Sequence, residues 1–208
     1  MLKVLNKVTS SFILSVCFGS LSLAETSASL GIDSSVVENT CYYDQAKMLA
    51  MSPFEFDQDY ENGWPSVADQ EGCLSVAADL VRLYYQTNSL SQNKLKEFVW
   101  HEGQLRAEVG QYNEAIDLME QSRKTSSEDD TGWNIYVSAS IAFLRSDLSS
   151  LKAMREKLAV IPKPDDLPTT DGNGTPFVVN WPPNLDIVDR FIKCFGQNYA
   201  EAYGNCRE

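Results

Sequence analysis

The 208-residue sequence contains a single histidine, so every catalytic scheme that uses histidine would have to use His101. It also lacks a Gly-x-Ser-x-Gly nucleophile motif, a phosphate-binding glycine loop and a His-Glu-x-x-His metalloprotease motif. No strand-like alternation of apolar and polar residues persists along the chain. We therefore expect an all-α protein that is not an enzyme and that carries no cofactor.

Basic residues are also few, with 17 Lys and Arg against 29 Asp and Glu and a net charge of −12. Nucleic acids and anionic lipid surfaces are bound by basic side chains, so this balance argues against both. An acidic surface promotes solubility, and it also attracts basic proteins. We expect a protein or peptide as the partner, and the charge favours a basic one.

The chain has no apolar run long enough to span a membrane. The run over residues 12–18 is interrupted by Ser15, follows two lysines, and is followed by small residues at Ser22 and Ala24. This order predicts a secretory signal peptide over residues 1–24. We expect a periplasmic or secreted protein without stable membrane insertion after removal of the signal.

Two segments follow the predicted signal peptide. The Ser-rich residues 25–40 are predicted to be a flexible lead-in, and residues 41–208 are predicted to be a single α-helical domain. Loss of the signal peptide leaves 15 basic and 29 acidic residues, a net charge of about −14.

Cysteine is scarce, with five residues in all. Lipidation of Cys17 is disfavoured because Val16 precedes it, where a lipidated cysteine normally follows Gly, Ala or Ser. Four cysteines remain in the predicted mature chain, and an even number in an exported protein indicates disulfides. They are Cys41, Cys73, Cys194 and Cys206.

Three pairings of these four cysteines are possible, and proximity favours Cys41–Cys73 and Cys194–Cys206. A zinc site is not expected, because no two cysteines are spaced by two to four residues and His101 is distant from all of them.

Apolar residues recurring at intervals of three and four predict about seven or eight helices, while residues 54–65 are predicted to be a structured loop. The clearest pattern runs over residues 96–125. Its leading helix has two apolar stripes, Phe98-Leu105-Val109 and Trp100-Gly103-Ala107, and a polar face of Glu97, His101, Gln104 and Glu108.

The second half of that pattern begins with a turn at Gly110-Gln111-Tyr112, followed by Ala115 and Ile116. Together with Gly103, these residues resemble the tetratricopeptide repeat, which has a small residue in its first helix and Gly-x-Tyr at its turn. A second, weaker unit lies 36 residues downstream, where Ser146-Asp147-Leu148 replaces Gly-x-Tyr and Leu151 replaces Ala. The resemblance implies a stack of helical hairpins.

In tetratricopeptide-like stacks, the leading helices line a concave face that receives peptides or partner helices. The resemblance therefore implies an adaptor, assembly factor or inhibitor. Aromatic and polar groups on one face are typical of protein interfaces. The predicted partner-binding residues are Trp100, His101, Gln104, Glu108, Tyr136 and Ser140; the alternative is that the tryptophans belong to the core.

Two other functions stay open. A hydrolase would use acidic residues of the segment around Asp57, namely Glu55, Asp57, Asp59 and Glu61. A small-ligand-binding protein would hold its ligand between Trp100 and Tyr136. The acidic segment lacks the ligand spacing of a calcium loop, and the glycine-rich stretch at 171–175 lacks its closing Glu. No metal site is therefore expected.

Overall fold

The computed structural model describes residues 41–165, 180–204 and 206. The predicted signal peptide, the predicted lead-in and the glycine-rich stretch at 171–175 lie outside these residues. All regular secondary structure within them is helical, which confirms the all-α prediction.

The described residues form ten helices. They are α1 (Gln45–Leu49), α2 (Pro53–Gln58), α3 (Trp64–Ala68), α4 (Leu74–Thr87), α5 (Gln92–Glu108), α6 (Tyr112–Gln121), α7 (Trp133–Leu144), α8 (Leu148–Ala159), α9 (Leu185–Lys193) and α10 (Tyr199–Tyr203).

The loop prediction for residues 54–65 is wrong, because α2 and the start of α3 occupy much of this segment. Pro53 is the first residue of α2, where its fixed φ favours the helix and its missing N–H is not needed. Ser52 and Glu55 form a reciprocal capping box at the same end. Pro65 plays the same part in the first turn of α3.

Helix α5 lies between two hydrophobic cores, and residues of each of its two apolar stripes belong to one of them. Phe98 and Leu105 belong to the core formed with α1 to α4. Trp100 and Ala107 belong to the core formed with α6 to α10. The polar stripe of α5 is therefore the part of this helix left for a binding surface.

The hairpin of α5 and α6 depends on the missing side chain of Gly103. A Cβ atom there would lie 3.3 Å from Leu118 Cβ and Met119 Cγ, so a glycine lets the two helices approach closely. The predicted role of this small residue is confirmed.

The turn after α5 and the turn after α7 close in the same way. Gly110 has a φ of 79°, and the next residue, Gln111, donates its N–H to the Arg106 carbonyl at 2.8 Å. Ser146, 36 residues later, has a φ of 55°, and Asp147 donates to the Ala142 carbonyl at 2.8 Å. Both are left-handed helix ends, which favour glycine.

Two disulfides, Cys41–Cys73 and Cys194–Cys206, confirm the pairing that proximity favoured. Cys73 caps the N-terminus of α4, and Cys194 caps the C-terminus of α9. Cross-links of this kind contribute about 3–4 kcal/mol each by restricting the unfolded chain. Among the described residues, no helix is long and apolar enough to cross a membrane.

Candidate functional site

Two clefts open on the polar side of α5. The first cleft has a volume of about 410 Å³ and is lined by Asn93, Lys96, Glu97, Trp100, His101, Gln104, Ser122, Lys124, Trp133, Tyr136, Asn184 and Tyr203. The second cleft has a volume of about 250 Å³ and is lined by Asp57, Gln58, Tyr60, Trp64, Pro65, His101, Gln104, Leu105, Glu108 and Tyr203. His101, Gln104 and Tyr203 line both, so the two clefts are neighbours.

The base of the first cleft is aromatic. The rings of Trp100 and Trp133 lie 4.8 Å apart edge to face, and the ring of Tyr136 lies 5.1 Å from that of Trp100. The indole of Trp133 donates to the Ser122 carbonyl at 3.1 Å, and the Lys124 ammonium lies 5.6 Å from its ring centre. These contacts hold a rigid apolar surface at the base of a polar rim.

Two of the charged side chains that line the first cleft, Lys96 and Glu97, are in ion pairs, whereas Lys124 lies over the Trp133 ring. Lys96 donates to Glu128 at 3.1 Å, and Glu97 forms an ion pair with Lys94 at 2.7 Å. Such exposed pairs contribute little stability, but they offset the charges of Lys96 and Glu97.

The second cleft differs because its charges are acidic. Asp57 and Glu108 supply two carboxylates, and neither Lys nor Arg of the described residues lines this cleft. Tyr60, Trp64 and Tyr203 add three aromatic rings to its walls. Carboxylates beside aromatic faces are a favourable environment for an organic cation.

Glu108 has no side-chain hydrogen bond or ion pair with any of the residues that the structure describes. Its side chain is partly buried, and this desolvation raises the pKa of its carboxyl. A partly desolvated carboxylate without a partner destabilises the folded state, and a bound cation would offset that free-energy cost. Glu108 is therefore the carboxylate of the second cleft that has no partner among the described residues.

Asp57 and His101 meet at the boundary between the clefts. Asp57 is buried, and its Oδ1 lies 3.3 Å from His101 Nε2. The indole N–H of Trp64 donates to the same Oδ1 at 2.9 Å and orients the carboxylate. On the other side of the ring, His101 Nδ1 lies 3.4 Å from Gln104 Oε1.

The structure brings together most of the predicted partner-binding residues. Trp100, His101, Gln104 and Tyr136 line the first cleft, and Glu108 lines the second. The two aromatic residues are mostly covered, since Trp100 is 4% exposed and Tyr136 is 2% exposed. The alternative that Trp100 belongs to the core is thus correct for most of its surface.

Ser140 does not line either cleft, in contrast to the prediction that it points into a groove. It is buried, and its hydroxyl donates to the Tyr136 carbonyl one turn earlier at 3.1 Å. The sequence placed it on the right helix, but α7 is covered on nearly all sides and this position faces the core.

The four carboxylates proposed for a hydrolase do not all come together, since Glu55 and Asp59 line one cleft with Lys47 and Asn62 whereas Asp57 faces His101. Glu55 is exposed and caps α2, and hydrogen bonds from Ser52 lower the pKa of its carboxyl. The Glu61 N–H and the Asn62 side chain likewise lower the pKa of Asp59, which closes a turn. Glu61 is exposed, and only Asp57 turns inward, towards His101.

A separate cluster of charges is buried between α4, α5 and α6. Glu102 is fully buried and pairs with Arg82 at 2.6 Å and Arg106 at 3.3 Å, while the Tyr85 hydroxyl donates to it at 2.6 Å. Arg106 also pairs with Asp79 and Glu114, and Arg82 pairs with Glu114, so each arginine keeps more than one acceptor. Because nothing in the cluster is left unsatisfied, it fits a structural role better than a binding role.

Sequence reasoning missed the partners that come from other helices. Trp64 and Tyr60 of the α2–α3 segment, and Tyr203 of α10, lie far from α5 in the chain. Lys124 and Trp133 lie on either side of the connection between α6 and α7. Their basic and aromatic side chains were the signal in the sequence that could have indicated a binding surface there. Glu102 and Arg106 were detectable as an ion-pair spacing on α5.

Comparisons of this chain with protein-family models, with curated proteins and with solved structures find no match.

Proposed function

We propose that the protein is an exported protein-interaction module that binds a basic segment of a partner protein across the two clefts of α5. A Lys or Arg side chain of the partner enters the second cleft and pairs with Glu108. A neighbouring apolar side chain of the partner lies against the aromatic base of the first cleft. Such a module acts as an adaptor, an assembly factor or an inhibitor.

The unpaired carboxylate of Glu108 carries this proposal. The Glu108 carboxylate is already partly desolvated in the free protein. A cation that binds there therefore gains a charge-assisted hydrogen bond, and little further desolvation of the carboxylate is needed. The chain's net charge of −12 attracts a basic partner from a distance. Both features point to the same sign of charge on the partner.

The shape of the clefts supports a protein segment over an enclosed small molecule. Both open to solvent, and they lie side by side along α5. An extended segment can place successive side chains in neighbouring clefts, whereas small molecules are usually held in sites that bury most of their surface.

The proposed location rests on the disulfides and the N-terminal sequence. Two disulfides favour an oxidising compartment, and residues 1–24 have the order of a secretory signal. The equivalent turns at Gly110 and Ser146 fit the proposed tetratricopeptide-like pairing of hairpins α5–α6 and α7–α8.

Defined peptides test the proposal. The disulfide-bonded protein is titrated into fluorescein-labelled peptides in buffer containing EDTA. The peptides carry Arg or Lys at different spacings from an aromatic or aliphatic residue. Fluorescence anisotropy gives the affinity, and the same peptides with Gln in place of the basic residue are the reference. We expect saturable binding of one or more basic peptides, and binding that weakens as salt is raised.

Variants locate the binding. Glu108→Gln keeps the size of the side chain but removes its charge, and we expect at least a tenfold loss of affinity, as for other hydrogen bonds to charged groups. Glu61→Gln makes the same charge change at an exposed position outside the clefts and should leave the affinity unchanged. The proposal is wrong if no basic peptide binds, if the Gln peptides bind equally well, or if both variants behave alike.

A further inference from the structure

Three side chains near the boundary of the clefts lie close enough together to share one ion. Asp57 comes from α2, while Glu97 and His101 lie one turn apart on α5. Each offers one ligand atom, and these three atoms all lie within 4.8 Å of one another. Among the described residues, this is the group of His, Cys, Asp and Glu side chains that could hold a metal ion.

We propose that Asp57, Glu97 and His101 form a binding site for a divalent transition-metal ion, with Zn²⁺ as the best fit. One imidazole and two carboxylates are ligands that zinc accepts in proteins, and three protein ligands leave a fourth position open. The proposal goes beyond the proposed function, since it concerns different carboxylates and does not depend on a partner protein.

The distance between the first two ligands fits this ion. Asp57 Oδ1 and His101 Nε2 are 3.3 Å apart. Two ligands of a tetrahedral zinc ion, each about 2.0–2.1 Å from the metal, are separated by about 3.4 Å. An ion can therefore sit between these atoms with little movement of either side chain.

The hydrogen bonds around the ligands favour a cation between them. Gln104 Oε1 lies 3.4 Å from His101 Nδ1 and accepts a hydrogen bond from it in the tautomer that leaves the Nε2 lone pair free for a metal ion. In that tautomer the Nε2 lone pair and the Asp57 carboxylate face each other at 3.3 Å, an arrangement that a cation between them would stabilise. Metal-ligating histidines commonly donate their other N–H to an oxygen in this way.

The two carboxylates have different roles. Trp64 donates to Asp57 Oδ1 at 2.9 Å and fixes that ligand in place. Glu97 is less constrained, because its side chain is 38% exposed and its ion-pair partner among the described residues is Lys94, at 2.7 Å. Glu97 would exchange this exposed ion pair for the metal, and exposed pairs are weak. Binding is thus expected to order Glu97.

The open position of the ion would face the clefts. His101 lines both clefts, Glu97 lines the first and Asp57 lines the second. A metal held by all three would sit at the boundary that the clefts share, where solvent or a carboxylate of a ligand can reach it.

Isothermal titration calorimetry tests the site directly. The disulfide-bonded protein, prepared without a polyhistidine tag and dialysed against EDTA and then against metal-free buffer, is titrated with ZnCl₂. We expect one Zn²⁺ per chain. Titration with CoCl₂ should give the intense visible absorption typical of a four-coordinate ion, which reports the ligand geometry independently.

The Glu97→Gln variant removes a metal ligand without disturbing the fold, because this side chain is partly exposed and lies outside both cores. We expect Glu97→Gln and His101→Ala each to weaken Zn²⁺ binding at least tenfold, while Glu108→Gln leaves it unchanged. The site is ruled out if the wild-type protein shows no saturable binding, or if Glu97→Gln binds as tightly as wild type. Peptide binding in EDTA is measured separately, so failure of the metal site and failure of the peptide proposal can be told apart.

Discussion

The carboxylate of Asp57 lies 3.3 Å from the imidazole of His101, although 44 residues separate them in the chain. This contact connects α2 to the polar side of α5 and marks the boundary between the two clefts. It gives the only histidine of the sequence a buried acidic partner. The same contact is the centre of the proposed metal site.

Removing the charge of Glu108 should stabilise the protein in the absence of a partner. Burial raises the pKa of this carboxyl in the folded state, so the folded protein binds the proton more tightly than the unfolded chain does. The ionised Glu108 carboxylate therefore lowers the free energy of unfolding at pH values above its folded-state pKa. This effect decreases as the pH falls below that pKa and the carboxyl becomes protonated. We expect Glu108→Gln to raise the free energy of unfolding at pH 7 and to have less effect at pH 4.

Urea denaturation followed by circular dichroism at both pH values measures this difference. Glu61→Gln is the control, since its exposed side chain should give no comparable change. A Glu108→Gln variant that is less stable than wild type at pH 7 would mean that the carboxylate has a stabilising partner.

Substitutions at the two equivalent turns should act in opposite directions. Ser146 has a left-handed φ of 55°, which is unfavourable for a residue with a Cβ atom. Ser146→Gly should therefore stabilise the protein by about 0.5–1 kcal/mol, after subtraction of the greater freedom of glycine in the unfolded chain. Gly110→Ala, at a φ of 79° with open space around the position, should destabilise it by about 1 kcal/mol.

Thermal and urea unfolding of the two single variants test this pair. Because both positions lie at the ends of helices and outside the clefts, peptide and metal binding should remain as in wild type. Equal and small effects of the two changes would indicate that the turns relax to another conformation.

Glu102 should be the most sensitive carboxylate in the fold. It is fully buried and pairs with both Arg82 and Arg106. Removal of one partner from a buried ion pair typically costs about 3–5 kcal/mol, and here it takes from Arg82 and Arg106 the acceptor that is most deeply buried. We expect a loss of this size for Glu102→Gln, while Glu114→Gln, at a side chain that is 39% exposed, should cost less than about 1 kcal/mol.

Chemical denaturation gives both values from the midpoint and slope of the transition. The comparison is informative because Glu102 and Glu114 contact the same arginines from different depths. A small effect of Glu102→Gln would show that the arginines find other acceptors after the change.

The amino-acid sequence by itself determined those features that depend on neighbouring residues. The spacing of Phe98 and Leu105 and that of Trp100 and Ala107 predicted two apolar stripes on α5, because helical periodicity is local, and each stripe contributes to one core. The short separations within each cysteine pair favoured the two disulfides that form. Prolines at α2 and α3 were signals for helix starts, although those residues were predicted to be a loop.

Only the tertiary structure decided which groups from distant segments meet. The packing of α2 against α5 brings Asp57 to His101, and the packing of α10 brings Tyr203 to the boundary of both clefts. Periodicity placed Glu108 and Ser140 on helices. Tertiary packing left Glu108 in a cleft without a partner among the described residues, and it buried the Ser140 hydroxyl in the core. Side-chain environment depends on contacts between elements far apart in the chain, and local sequence does not encode those contacts residue by residue.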